Sequence, residues 1–437
     1  MLLFLMAFLA LLDIGFALPN PNSSFPFEDL LSSPERFGFP TWGQSLNVQA
    51  ENLRDDVESG ELNNCQFAVE FPTNAFVTLL TFKQAELTPT CRIDVSSAQD
   101  ISTTIKVSKL TQCPFVVKSG GHAAFAGGSS IQNGMLINMA RLNMVSLSDD
   151  RKITKVGPGN TWYDVYKKLD PLGASVVGGR EAGVGVGGLA LGGGISYFSG
   201  RYGWACDNVL NYEVVLANSS IVNASPTKYS DLYWALRGGS GTNFGVISRF
   251  DLATFEQGLL WGGSRFYSMD KNISLSEAFS NFVVDAPTDD FAHLYLAFVY
   301  ASELGGFAAN TGPVYGLPVA NPPIFAELEK IPYVEDATGF SNLTSLTVAL
   351  NQTAFLSFKT VTFNNDATLI KEVIEIFVEE ASAVLDVPGI IPAFAFQPIS
   401  LNIIDKMTKN GGNVLGLSSS SGPLTSNLPI VARLSLS

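Results

Sequence analysis

The chain has 437 residues, 46% of them hydrophobic and 15% charged, with a formal net charge of −14. So apolar a chain buries a large core instead of staying disordered, and its length suits two domains. The acidic balance, unbroken by any Lys/Arg cluster, excludes nucleic acid as a partner, because that affinity depends on neutralising phosphates.

The chain opens MLLFLMAFLALLDIGFALPN, whose apolar run of about a dozen residues is too short to span a bilayer comfortably. Gly15 and Ala17 put small residues where a signal peptidase reads, and Pro19 breaks the segment. Residues 1–17 are therefore expected to be a signal peptide, leaving a secreted chain with no membrane contact. Sequons at Asn22, Asn218, Asn223, Asn272, Asn342 and Asn351 fit a glycoprotein. Cys65, Cys91, Cys113 and Cys206 form no C-x-x-C pair, and with two histidines in the chain a zinc site is not expected. In an oxidising compartment one or two disulfides among Cys65, Cys91 and Cys113 are expected, their pairing left open.

Residues 18–85 read as an N-terminal extension, irregular and rich in Pro, Ser and Asn over 18–60. From Thr90 the pattern becomes regular. A short strand precedes a helix starting at Ser96 or Ser97, with Ile101, Ile105 and Leu110 on one face, and Pro114–Val117 reads as a buried strand. Two strands follow, in MLINMARLNMVSLSDD and RKITKVGPGN. TWYDVYKKLDPLG is a helix with Trp162, Val165, Tyr166 and Leu169 at the helical period, closed by Pro171 and Gly173. The character changes near residue 258. Beyond it, WGGSRFYSM and HLYLAFVYA read as strands, and LSEAFSNFVVDA and ATLIKEVIEIFVEEASAV as helices, the last with Leu369, Val373, Phe377 and Ala381 along one stripe. The alternation predicts an α+β fold.

Two glycine clusters stand out. In GGREAGVGVGGLALGGG, Gly178–Gly194, the residues Gly183, Gly185 and Gly188 spell G-x-G-x-x-G. A Rossmann turn would lead into a long amphipathic helix, yet Gly192–Gly194 follow, at a helix cost of about 1 kcal/mol each. The run is therefore read as a loop lying against a ligand and not as a helix start. The second cluster, VVKSGGHAAFAGGSS, drives a strand into Ser119-Gly120-Gly121-His122, where successive N–H groups can cradle phosphate oxygens. His122, set between Gly120-Gly121 and Gly127-Gly128, is the candidate functional side chain.

KSGGH (118–122), FAGGSS (125–130), VGPGNTWYDVYKKL (156–169), the run at 178–194, YGWACDNV (202–209) and WALRGGSGTNFGVI (234–247) occur in an order that resembles the flavin-linked oxidases of the vanillyl-alcohol oxidase and berberine-bridge-enzyme type, in particular secreted fungal FAD-linked oxidoreductases. The resemblance runs from about Thr90 to the C-terminus. It implies a PCMH-type FAD-binding domain over 86–258, and a substrate domain over 259–437 that packs a sheet over the flavin. It also implies FAD bonded covalently through His122, with Lys118, Ser119, Gly120, Gly121, Gly127, Gly128, Gly179, Gly183, Val184, Gly187, Gly188 and Val246 at the cofactor. The implied activity is oxidation of an alcohol, sugar or secondary metabolite by hydride transfer to FAD, with O2 reoxidising the flavin and H2O2 released, in a monomer. The alternative is a flavin-binding but catalytically inert homologue.

The chain also departs from the family pattern. Where many relatives carry a second flavin link through cysteine, Glu181 stands, so a single link is expected. Val184 occupies the position bordering oxygen access, where a small side chain goes with oxidase behaviour. Tyrosines of plant-type relatives are replaced by Ala124 and Ile195. Tyr197, Tyr202, Tyr295 and Tyr300 are candidates for acid–base work but are read first as packing groups, and His293 as a structural histidine; no base is assigned. Family members continue beyond GGNVLGL and GPL, so a C-terminal return to the FAD domain is expected to be missing, leaving Ile430, Val431, Leu434 and Leu436 as an uncovered strand-like tail.

Overall fold

The computed structural model describes residue 84 and residues 86–433, apart from 242, 302–304, 350–354 and 389. The signal peptide, the extension up to residue 83, Cys65, Asn22 and Asn351 lie outside the described residues.

β1 (Cys91–Asp94), α1 (Ala98–Thr111), β2 (Phe115–Lys118) and β3 (Met135–Asn138) open the fold, with the strands parallel in the order β1-β3-β2. Ser97 caps α1 by accepting from the Asp100 N–H. Ile101 and Ile105 are buried as their spacing predicts, but Leu110 is only half-buried and Ser102 and Ser108 take inner places. Their hydroxyls are satisfied there, donating to the carbonyls of Ser219 and Cys113 at 2.7 Å each.

β4 (Val145–Leu147), β5 (Ile153–Val156), α2 (Trp162–Leu169), β6 (Ala174–Val176), β7 (Val209–Val215), β8 (Ile221–Ala224) and β9 (Val246–Glu256) follow. Their strands form an antiparallel sheet in the order β4-β5-β9-β7-β8, with β6 also pairing β9. Thr161 and Asp164 close a capping box at the start of α2, and Trp162, Val165, Tyr166 and Leu169 are all buried, as expected. Cys91 and Cys206 are free thiols, both buried, so Cys91 takes no part in the expected pairing; burial pushes its thiol up to about 11, and it stays protonated.

Every strand of these two sheets ends by Glu256, and every strand of the next two begins at or after Leu260. WGGSRFYSM is not one strand: Gly263 interrupts it, so that β10 (Leu260–Gly262) and β11 (Arg265–Ser268) join different sheets. The short helix α3 (Val186–Leu191) lies in the glycine run between β6 and β7; after β11 come α4 (Asn272–Asp285), β12 (Ala292–His293), β13 (Leu296–Ala301), β14 (Gly306–Thr311), β15 (Val314–Tyr315), β16 (Glu335–Asp336) and β17 (Gly339–Ser341). β18 (Phe355–Phe358), β19 (Val361–Asn364), α5 (Ala367–Ser382), β20 (Ile390–Ile399), α6 (Leu401–Lys406) and β21 (Leu424–Arg433) complete the chain.

The large antiparallel sheet runs β16-β11-β14-β13-β20-β21-β18, with β19 also on β21; the small one runs β12-β15-β10-β17. Leu275, Phe279 and Phe282 of α4 share a core with Ile370 and Ile374 of α5 and with Leu296, Phe298, Phe394 and Phe396 of the sheet. The expected stripe of α5 holds at Val373, Phe377 and Ala381, which face this core, and is widened by the buried Ile370 and Ile374; only Leu369 is exposed. Of the expected tail, Ile430 and Val431 are strand, inside β21, whose backbone pairs with β20 on one side and β18 on the other; Leu434 and Leu436 lie outside the described residues.

Along β13 and β20 alternate side chains point to opposite faces. With Leu296, Phe394 and Phe396 directed to the helices, Tyr295 and Gln397 belong to the helix-free face. That face turns toward the glycine run.

Candidate functional site

Three loops of the first half meet at Ser119, just beyond β2. Its hydroxyl donates to the Pro158 carbonyl at 2.5 Å and accepts from the Gly187 N–H at 3.2 Å. The loop after β2, the loop between β5 and α2 and the run entering α3 are thus tied at one atom. A Cβ added at Gly120 would stand 2.5 Å from the Gly185 nitrogen, and one at Gly185 only 2.3 Å from the Gly120 nitrogen. The two backbones touch, and neither admits a side chain.

The N–H groups of Gly120 and Gly121 find no acceptor among the described residues, and Gly121 turns through φ 80°. Successive free N–H groups in such a turn form a concavity for anionic oxygens. A Cβ at Gly127 or at Gly188 would meet nothing within 4 Å, so both flanks of the cradle are open. Gly128 returns the loop by donating to the Phe125 carbonyl at 3.3 Å. Lys118 ends β2 partly buried, and desolvation, then the neighbouring charge of Arg92, lowers its pKa.

The glycine run proves to be several structures in sequence. Gly178 and Gly179 lie flat on the Trp162 indole, where an added Cβ would come within 2.1 Å and 2.5 Å of the ring. Their need for glycine comes from packing. Val184 gives its carbonyl to the Trp162 N–H at 3.0 Å, and Gly183 joins it to Ala182. Residues Val186–Leu191 are then the short helix α3, not loop; Gly192–Gly194 end the helix instead of crossing it, which is why their cost does not forbid it. Val246, at the start of β9, is buried in a core with Val95, Ile137 and Val215.

His122 closes the SGGH turn with its Nε2 3.6 Å from Glu181 Oε1; the two side chains are 15% and 25% exposed. Sequence placed these residues 59 positions apart with different expected roles, and the structure sets them face to face across the rim of the cradle.

Beyond them lies a polar cluster that the sequence did not assemble. Arg180 Nη1 is 2.9 Å from His293 Nε2 and donates to Gln397 Oε1 at 2.6 Å. A guanidinium can only donate, so His293 accepts through Nε2 and keeps its proton on Nδ1. Burial, then the Arg180 charge, drives the His293 pKa well below 6.5, which agrees with a neutral ring. Tyr197 packs edge-on against that ring at 5.4 Å, and the Tyr295 hydroxyl lies 3.4 Å from Ser264 Oγ. Burial raises both phenol pKa values, so at neutral pH both hydroxyls are protonated and able to donate hydrogen bonds. Of the four tyrosines singled out in the sequence, these two join the cluster. Tyr202 stacks with Arg201 and Phe255, and Tyr300 packs on Phe307. His293, read as structural, is in the cluster; the missed partners were Arg180 and Gln397, and only the RE pair at 180–181 inside an otherwise apolar run marked the place.

The cradle suits FAD on its own geometry: unclaimed N–H donors for a diphosphate, backbone too tight for side chains, open flanks, and an imidazole at the rim. A family profile for an FAD binding domain matches residues 89–225. An FAD-dependent monooxygenase (tpcD) of Cochliobolus heterostrophus is 40% identical over 360 residues, covering 78% of this chain and 69% of that protein. One from Fusarium proliferatum (FUP4) is 39% identical with the same coverage. Among solved structures, glucooligosaccharide oxidase from Acremonium strictum, described with a 6-S-cysteinyl, 8α-N1-histidyl FAD, superposes with a TM-score of 0.67 at 18% identity, over 82% of this chain and 76% of that one. Berberine bridge enzyme from Eschscholzia californica gives 0.63 at 19%, over 79% and 70%. The chain belongs to the FAD-linked oxidoreductases of the vanillyl-alcohol oxidase and berberine-bridge-enzyme family.

Proposed function

We propose that this protein is an FAD-dependent oxidase that holds its cofactor through a single bond from His122 and oxidises a small organic substrate. Bound there, FAD supplies a two-electron acceptor for substrate hydride, reoxidised by O2 with release of H2O2. The observation that carries the reading is the place of His122: at the end of a turn with two unclaimed N–H groups, facing Glu181 where relatives carry a second cysteine link. With a carboxylate in that place, no second thiol is at hand among the described residues; the buried Cys206 thiol hydrogen-bonds Asp207 at 3.9 Å instead.

The chain's own residues have separable tasks. Gly120 and Gly121 hold the diphosphate through N–H donors, and Ser119 fixes the loops around it. Tyr197 and Tyr295 stay protonated and donate hydrogen bonds into the space between the two halves, where Arg180 and Gln397 orient the substrate. Val184 borders oxygen access. Secretion, glycosylation at exposed Asn218 and Asn342 and a monomeric state complete the proposal. A second reading, insertion of oxygen into the substrate, is favoured by the relatives described as monooxygenases.

His122→Ala decides the attachment. In the parent protein yellow colour should persist in the acid-precipitated pellet, and in the variant all flavin should pass to the supernatant. Acid-stable flavin in the variant would refute the single link. H2O2 yield across a substrate panel, with 18O2 as oxidant, separates oxidation from oxygenation by whether label enters the product.

A further inference from the structure

Among the described residues three arginines lie deep, and two are neutralised where they sit. Arg237 meets Asp207 at 3.0 Å, both side chains fully buried. Arg265, 2% exposed, meets Glu329 at 2.5 Å and Asp336 at 3.0 Å. Arg180 differs. Its hydrogen-bond partners are a neutral imidazole and an amide, and among the described residues no carboxylate lies within ion-pair distance of it. The nearest acidic influence is Glu181, whose carboxylate is directed to His122. Burying a guanidinium without a counter-charge is unfavourable, and here desolvation visibly lowers its pKa.

Arg180 is deeply placed, yet the residue retains some accessible surface. The groups that neighbour it are neutral and able to donate: the phenols of Tyr197 and Tyr295, and the Nδ1–H of His293. One cation surrounded by neutral donors is a receptor for an anion, and the planar fork of Arg suits two oxygens or one delocalised oxygen.

We infer that Arg180, positioned by His293 and Gln397, anchors an anionic oxygen group of the substrate, an ionised phenol or a carboxylate. The inference rests on the proposed oxidase site but concerns its substrate class. A substrate so held meets the enzyme with its charge matched, and a neutral analogue leaves the buried cation unpaired.

Titration calorimetry on the purified flavoprotein tests this, with benzoate, 4-nitrophenolate and neutral benzamide as probes. At least one anion should bind about tenfold or more tightly than benzamide, the scale of a charge-assisted hydrogen bond. Whichever anion binds identifies the group. Arg180→Gln should remove that preference and Arg180→Lys should restore part of it, with benzamide binding unchanged in both. Flavin content is measured alongside. Because the readout is heat of binding, a failed covalent link or absent turnover leaves it intact, so the two readings fail separately. Equal binding of anions and benzamide would overturn the inference. So would an Arg180→Gln variant that keeps the anion preference but shows a lowered flavin reduction potential, which would assign the charge to the cofactor.

Discussion

Two arginines stitch the halves of this molecule together, and they do it in opposite ways. Arg237, just after the helix Ser230–Leu236, donates to Asp207 and to the carbonyls of Cys206, Lys409, Asn410 and Gly412, reaching residues more than 170 positions away. Asn413 adds a bond to Asp207 at 2.8 Å, and Leu415 lies against Gly193 and Gly238. All three guanidinium nitrogens donate and the charge is closed. Arg180 also crosses the halves, to Gln397, but only neutral groups receive it. A closed node builds the fold; an open one keeps interaction energy for a ligand. Burial alone does not separate them. The identity of the partner does.

That contrast breaks first at Arg237. Arg237→Met removes the cation and leaves Asp207 buried with its charge unpaired, which should cost about 3–5 kcal/mol in urea unfolding. Burial already raises the Asp207 pKa in spite of its hydrogen bonds, so the carboxylate has no reserve of solvation. Arg180→Met should leave stability unchanged or raised, since it removes an unpaired buried charge while losing anion binding. Equal stability losses in the two variants would erase the distinction.

The glycines sharpen the same contrast at smaller scale. Gly185→Ala drives a methyl into the Gly120 backbone and should cost about 1–3 kcal/mol together with flavin content. Gly188→Leu enters space that the protein leaves empty, and within α3 a better helix former gains roughly up to 1 kcal/mol. Its unfolding midpoint should hold or rise while flavin per protein falls. Unchanged flavin content in that variant would show that the open flank is not where the cofactor lies.

The smallest effect expected is a pH dependence at the open node. His293 is neutral in the fold and titrates near 6.5 when unfolded, so below that pH the unfolded chain binds the extra proton. Stability should therefore be full above 6.5 and decline as the pH falls toward the depressed folded value. His293→Gln should flatten that acid limb of urea stability between about pH 5 and 6.5. An identical slope in the variant would mean that other groups carry the acid response.

What local sequence could fix, it fixed well. The Thr161–Asp164 capping box and the spacing of Trp162, Val165, Tyr166 and Leu169 determine α2 outright, because cap and period act within a few residues. The SGGH turn and the unclaimed N–H groups of Gly120 and Gly121 are likewise properties of adjacent residues. The width of buried faces and the partnerships were decided elsewhere. The inner face of α5 takes in Ile370 and Ile374 beside Val373, Phe377 and Ala381 and leaves Leu369 outside, as the sheet it meets dictates. The separate needs for glycine at Gly178, Gly185 and Gly188 follow from Trp162, from Gly120 and from open space, each set by another part of the chain. The Arg180–His293–Gln397 cluster joins residues 113 and 217 positions apart, on a glycine run and on two different sheets. Sequence determined the cradle because its chemistry lies in consecutive peptide groups; only the tertiary structure decided the substrate side, because an arginine's charge is open or closed according to what the rest of the fold sets against it.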